Sequence, residues 1–363
     1  MPLPEYEPTR YDAQLAAKLA RFRADFADLD LPTPAVFRSP PLGYRMRAEF
    51  RLWHVEGRVH YAMFDPAEPR KPVLIDAFPP AAAPIAAVMG PLLEALNRDE
   101  TLRRRIFQLE FLATLSGERM VSLVYHRRLG DDWLRAATKL AAELDLVVIG
   151  RSRGQKCVLE RDWLLERIVV DGYQFAYRQI EGSFTQPNGE INCQMLAWAR
   201  RQATGIGGDL LELYCGNGNF TVALAPLFRR VLATEVSKSS VAAARHNLGI
   251  NGIDNVALVR MASAEISDAL DGGRPYRRLR EVDLAAHEFS TLFVDPPRAG
   301  LDEATLGLAA RFDHILYVSC NPQSLHANLT RLSASHRIAA AAAFDQFPYT
   351  HHLECGVLLQ RMR

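Results

Sequence analysis

The feature that most constrains this chain is the rhythm of residues 209–318. Leu210–Leu213, Arg230–Thr234, Val256–Val259, Thr291–Val294 and Ile315–Val318 are five short apolar runs separated by helical or loop-forming stretches. Strands without apolar–polar alternation are buried on both faces, which parallel sheets achieve by carrying helices on each side. The pattern predicts a doubly wound α/β domain over residues 176–363, with ligands expected beyond the carboxyl ends of the strands. Two last runs, near His336–Phe344 and Glu354–Gln360, have no helix between them and predict an antiparallel edge.

The first half has another period. Residues 11–26 space their apolar positions as an amphipathic helix does. Arg47–Trp53 with Arg58–Phe64, and Phe107–Thr114 with Met120–His126, read as hairpins, and Trp133–Glu143 reads as a helix. Residues 1–175 are therefore expected to form an α+β domain built on hairpins, with a hinge somewhere in 165–185. A length of 363 residues suits two domains.

Charge enters only locally. Forty-three Lys and Arg against 42 Asp and Glu give no overall preference for nucleic acid. The window 103–128, however, holds six arginines and two glutamates. Phe107 and His126 in that window are candidates to stack on splayed bases, and Arg45, Arg47 and Arg51 to meet phosphates. No apolar run approaches the ~20 residues of a membrane span, and Met1-Pro2 opens no signal core. Five scattered cysteines without a Cys-x-x-Cys pair argue for reduced thiols in a cytoplasmic protein and against a zinc site. Nothing in the sequence calls for an obligate protein partner.

Chemistry gathers at strand ends. Leu213-Tyr214-Cys215-Gly216-Asn217-Gly218-Asn219 runs from a strand through a glycine loop into a helix, and the next strand ends at Glu235. An acidic residue there suits the two hydroxyls of a ribose. The loop has no lysine or arginine for a pyrophosphate, so Tyr214, Asn217 and Asn219 suit S-adenosylmethionine better than NAD. Asp295-Pro296-Pro297-Arg298 closes the fourth strand with a rigid turn. In Ser319-Cys320-Asn321-Pro322, Asn321 is placed to cap a helix that Pro322 opens, which puts Cys320 where a thiolate is favoured. Cys157, Cys193, Cys215 and Cys355 read as packing residues. His351-His352 reads as loop rather than metal ligands. Glu354 begins the last strand, where burial would raise its pKa and suit it to proton abstraction.

Asp-Pro-Pro-Arg-x-Gly, Ser-Cys-Asn-Pro and Phe-Pro-x-Thr-x-His-x-Glu, in this order, resemble the RNA 5-methyluridine methyltransferases. Glu181-Gly-Ser-Phe-x-Gln186 and the Tyr-Cys-Gly-x-Gly-Asn-Phe loop match as well. Tyr44–Arg51 and Leu115-Ser116-Gly117-Glu118 are similar to the tRNA branch. The resemblance implies a Rossmann-like S-adenosylmethionine-dependent methyltransferase domain behind an RNA-binding one. It also implies C5-methylation of uridine 54 in the tRNA T-loop and of the equivalent uridine in transfer-messenger RNA. Gln186, Tyr214, Asn219, Glu235 and Asp295 would hold the cofactor, Cys320 would attack uracil C6, and Glu354 would remove the C5 proton. The ribosomal-RNA branch, the alternative substrate class, usually carries an iron–sulfur cluster on four cysteines. Here Cys157 is the only cysteine before residue 193, so no such cluster is expected. An amino-group methyltransferase and a non-catalytic RNA-binding protein would each leave the Cys320 and Glu354 pair without a use.

Overall fold

The computed structural model describes residues 6–65 and 68–362. It separates into two compact units that exchange short stretches of chain. Unit 1 comprises 1–11, 40–167 and 178–190; unit 2 comprises 12–39, 168–177 and 191–363.

Unit 2 is built on an eight-stranded sheet: β1 (Ala35–Phe37), β2 (Asp209–Leu213), β3 (Arg230–Thr234), β4 (Val256–Val259), β5 (Phe289–Val294), β6 (His314–Ser319), β7 (His336–Phe344) and β8 (Glu354–Arg361). The spatial order is β1-β7-β8-β6-β5-β2-β3-β4. β2 to β6 are mutually parallel; β2, β3, β5 and β6 are buried over most of their length, as the apolar runs predict, whereas β4 at the edge buries only Val259 fully. The closing pair differs from expectation. β8 does run antiparallel, but it is inserted between β6 and β7 and is not an edge, and β1 covers β7 from outside. The unbroken run Cys355–Leu359 is buried throughout, which an interior position requires and a half-solvated edge does not.

Unit 1 centres on a seven-stranded sheet. Arg47–Val55 and Arg58–Phe64 form a hairpin whose two turn residues, Glu56 and Gly57, both have positive φ. That conformation matches the strand twist in two-residue turns. Ala48, Phe50 and Leu52 point into a core with the helices Ala83–Arg98 and Asp131–Leu144, while Glu49, Arg51 and Trp53 stay out. One crossover departs from the hairpin pattern. Arg119–Tyr125 and Val147–Ser152 are parallel, connected through the helix Asp131–Leu144. The expected hinge region is occupied by a two-stranded ribbon, Trp163–Val170 with Tyr173–Ile180, which contributes residues to both units. Among the described residues no helix is long and apolar enough to cross a membrane.

Candidate active site

The insertion of β8 is what builds the site in unit 2. Its ladder with β6 ends at the pair Ser319 and Cys355, so one step further Cys320 comes opposite Glu354. The parallel pairing of β5 with β6 reaches Val294 and Tyr317, and Asp295 leaves its strand at the same carboxyl edge. Three neighbouring strands thus deliver a thiol and two carboxyls to one place. Glu354 is buried, and burial, aided by Asp295 and opposed by Arg298, pushes its carboxyl up to about 8. Burial alone brings Asp295 to about 7.

Cys320 departs from expectation in one respect. Asn321 does cap the helix Pro322–Leu332, accepting from the Gln323 N–H at 3.2 Å, and Pro322 is its first residue. Yet the thiol is pushed up, not down, by burial and then by Glu354 and Asp295, with Arg298 pulling the other way. Desolvation and two nearby carboxyls outweigh the helix start.

The loops carrying these residues are tied together. The Asn321 side-chain amide donates to the Arg298 carbonyl at 2.9 Å, and the Arg298 guanidinium donates to Nδ1 of His352, also at 2.9 Å. Burial, His351 and Arg298 all hold the His352 pKa down, which keeps it a neutral acceptor. His351 and His352 lie in a loop before β8. Gly300 has φ +80°, and a Cβ there would meet the Asn328 Oδ1 at 2.7 Å; that oxygen accepts from both the Leu301 N–H and the Tyr317 hydroxyl. A side chain at position 300 would break this brace. Among the described residues no group of three or more His, Cys, Asp or Glu is placed to hold a metal.

The glycine loop occupies the same carboxyl edge. Gly216 and Gly218 have φ +56° and +82°, and Tyr214 has φ +60°. A left-handed conformation is uncommon for a tyrosine. The Tyr214 hydroxyl donates to Ser263 at 2.8 Å, and Asn247 holds the loop through the Asn217 carbonyl. Glu235 accepts from the Gly216 N–H at 3.0 Å on one oxygen and from the Ser237 N–H at 2.7 Å on the other. Asn219 opens the following helix and forms a reciprocal amide pair with Asn192, a partner that no sequence motif announces. Below the loop, burial pushes Glu212 up to about 8. This third buried carboxyl was also invisible in sequence, since Glu212 sits within an apolar run.

The remaining candidates belong to unit 1. Gln186 is half-buried in the segment Glu181–Gln186. That segment is anchored by Glu181, which bonds Ser122 at 2.8 Å and pairs with Arg151 and Lys156, and by Arg47, which donates to the Ser183 carbonyl at 2.6 Å. Arg47 is therefore spent inside unit 1, and the Arg45 guanidinium bonds the Arg47 carbonyl. Arg51 is different: it is exposed and lies 5.3 Å from the centre of the Phe107 ring. Phe107 sits at a bulge and stacks on His126 at 3.8 Å between ring centres. Sequence reasoning overlooked two exposed aromatics of this unit, Trp53 on the outer sheet face (42% exposed) and Phe184 (73%).

The sequence model of tRNA (Uracil-5-)-methyltransferase matches residues 10–362. This chain belongs to that family. It is 69% identical over 361 residues to the tRNA/tmRNA (uracil-C(5))-methyltransferase of Azoarcus sp., covering 99% of each chain. It is 58% identical to that of Dechloromonas aromatica, covering 99% of this chain and all of the relative. Among solved structures it is similar to the Pyrococcus abyssi tRNA (uracil-54, C5)-methyltransferase in complex with S-adenosyl-L-homocysteine. That match has a TM-score of 0.73 at 22% identity and covers 96% of this chain and 83% of the other. At that identity the likeness speaks for the α/β methyltransferase fold. The family's sequence motifs thus coincide with the carboxyl edge of the unit-2 sheet and with the anchored Glu181–Gln186 segment of unit 1.

Proposed function

We propose that this chain methylates carbon 5 of uridine 54 in the tRNA T-loop, and the equivalent uridine of transfer-messenger RNA, using S-adenosylmethionine in the cytoplasm. The observation that carries the reading is the placing of Cys320 near the buried Glu354, one step past the last Ser319–Cys355 pair at the carboxyl edge. The glycine loop fits the cofactor. Both Glu235 oxygens accept only backbone N–H groups, which leaves lone pairs for ribose hydroxyls, and Tyr214 and Asn219 supply neutral polar walls. Asp295 and Gln186 complete the set assigned to cofactor binding. When bound, the sulfonium supplies an electrophilic methyl group.

Cys320 loses its proton and its sulfur bonds to uracil C6, which turns C5 into an enolate carbon able to take the methyl group. Glu354 then removes the C5 proton, the C6–S bond breaks, and Cys320 leaves from 5-methyluracil. A carboxyl near 8 is matched to proton exchange at neutral pH. Arg298 opposes the rise in pKa of both groups, and so favours both the thiolate and the carboxylate. A uridine in a folded T-loop is reached by turning it out of its stack. We assign the grip on the T-arm to the outer face of unit 1, where Arg51, Phe107, His126 and Trp53 combine charge and stacking surface, and give Arg45 and Arg47 the supporting place behind it.

The test is transfer of labelled methyl to unmodified tRNA transcript, with mapping of the product nucleoside. Label in 5-methyluridine at position 54 is expected, while label confined to ribosomal RNA would overturn the substrate. Cys320→Ala should form no covalent RNA adduct, whereas Glu354→Gln should form one and stall. Equal adduct from both variants would reject the assigned roles.

A further inference from the structure

Gln14 and Lys18 lie one turn apart on the helix Tyr11–Asp25 and so share a face. They belong to unit 2 despite being separated from its sheet motifs by some two hundred residues of sequence. Lys18 Nζ donates to Asp345 Oδ1 at 2.5 Å and to the Phe347 carbonyl at 2.8 Å. Gln14 donates to the other Asp345 oxygen at 3.0 Å and accepts from the Tyr349 N–H at 3.2 Å. Tyr349 is held there with φ +61°. The four contacts fix the connection between β7 and β8, the stretch that ends at Glu354.

The same helix also reaches the nucleophile's side. Phe26, in the turn just after it, meets the His326 ring edge-on at 5.5 Å, and Asp28 bonds His326 Nε2 at 2.8 Å. His326 is on the helix that starts directly behind Cys320. One N-terminal element therefore grips the segment before the base and the helix after the nucleophile.

The ion pair itself argues against a purely stabilising role. The side chain of Asp345 is fully buried and that of Lys18 nearly so. Removing two charges from water largely cancels their attraction, and apolar side chains of similar size commonly serve stability as well or better. A charged pair gives direction instead, because its hydrogen bonds fix one loop conformation where an apolar contact would tolerate several.

We propose that Gln14 and Lys18 are positioning residues for Glu354, setting its reach to the C5 proton through Asp345, Phe347 and Tyr349. The proposal rests on the covalent mechanism above. It predicts a selective defect: adduct formation and methyl transfer proceed, and release of the product slows.

The experiment uses the full chain with unmodified tRNA and S-adenosylmethionine. It compares wild type, Glu354→Gln, Lys18→Met and Gln14→Leu, following single-turnover methyl transfer, denaturant-stable RNA adduct, steady-state kcat and KM, and melting temperature. Lys18→Met should lower kcat about tenfold and KM for tRNA in step with it, leaving kcat/KM unchanged because only a step after methyl transfer slows, and should accumulate methylated adduct as Glu354→Gln does. Gln14→Leu, which leaves the ion pair in place and is the milder change, should do the same about threefold. Losses of adduct and turnover in proportion to the folded fraction would overturn the proposal. Absence of adduct from wild type and Glu354→Gln alike would instead reject the covalent mechanism, so the two failures are told apart.

Discussion

Two buried glutamates, one in each unit, show two uses of charge. Glu181 and Glu354 are 7% and 6% exposed. Burial pushes both carboxyls up. In unit 1 the bonds of Glu181 to Arg151, Ser122 and Lys156 more than reverse this and bring it to about 2. In unit 2 Glu354 has another carboxyl nearby and only Arg298 opposing, and it rises to about 8. Pairing separates a carboxylate that builds the fold from one that can do chemistry. A satisfied carboxylate ties the Glu181–Gln186 segment down, whereas an unsatisfied one at a strand end is left able to exchange a proton at neutral pH.

If that division holds, substitutions should separate activity from stability. The largest effect is expected from Cys320→Ala. Turnover should fall by on the order of 10⁴-fold or more while the melting temperature stays put. A loss of folding in this variant would merge the two categories. Next comes Glu181→Gln, which weakens charge-assisted bonds and should cost about 2 kcal/mol in denaturant unfolding. Its activity per folded molecule should be retained, and an unchanged unfolding midpoint would deny Glu181 its anchoring role.

The pH dependence of stability should also have opposite signs. Glu354 binds its proton more tightly folded than unfolded, so its contribution falls as pH rises from about 4.5 to about 8. Glu181 binds its proton less tightly folded, so its contribution is present above about 4.5 and is lost as pH falls towards about 2. Glu354→Gln should therefore raise stability at about pH 8 by roughly 1–3 kcal/mol and flatten the limb that falls between about pH 4.5 and 8, as read by unfolding midpoints across pH. An unaltered limb would mean that Glu354 is paired after all. The smallest effect belongs to the outer face of unit 1. Arg51→Ala should weaken tRNA binding a few-fold and reduce the salt slope by about one. Binding with an unchanged slope would remove Arg51 from the RNA surface.

Much of this was legible in the chain. The five apolar runs become the parallel strands, four of them because burial on both faces leaves no room for alternation and the fifth, β4, as a part-buried edge. The Asn321-Pro322 start and the Glu56-Gly57 turn appear where local chemistry puts them, since caps and tight turns depend on a few neighbouring residues. The ionisation of Cys320 was misread for a related reason. The helix start behind it is local, but Glu354 and Asp295 reach it from other strands.

The α/β class, the glycine loop and the motifs by which the family is known can all be read from the chain, because each resides in contiguous residues. Packing of the strands is what brings β8 between β6 and β7, which sets Glu354 opposite Cys320. Tertiary packing likewise brings Lys18 to Asp345 and Asn192 to Asn219, and turns Arg47 inward to Ser183. These pairings join residues far apart in the chain, and the balance of desolvation and neighbouring charge that governs each exists only once the strands have packed.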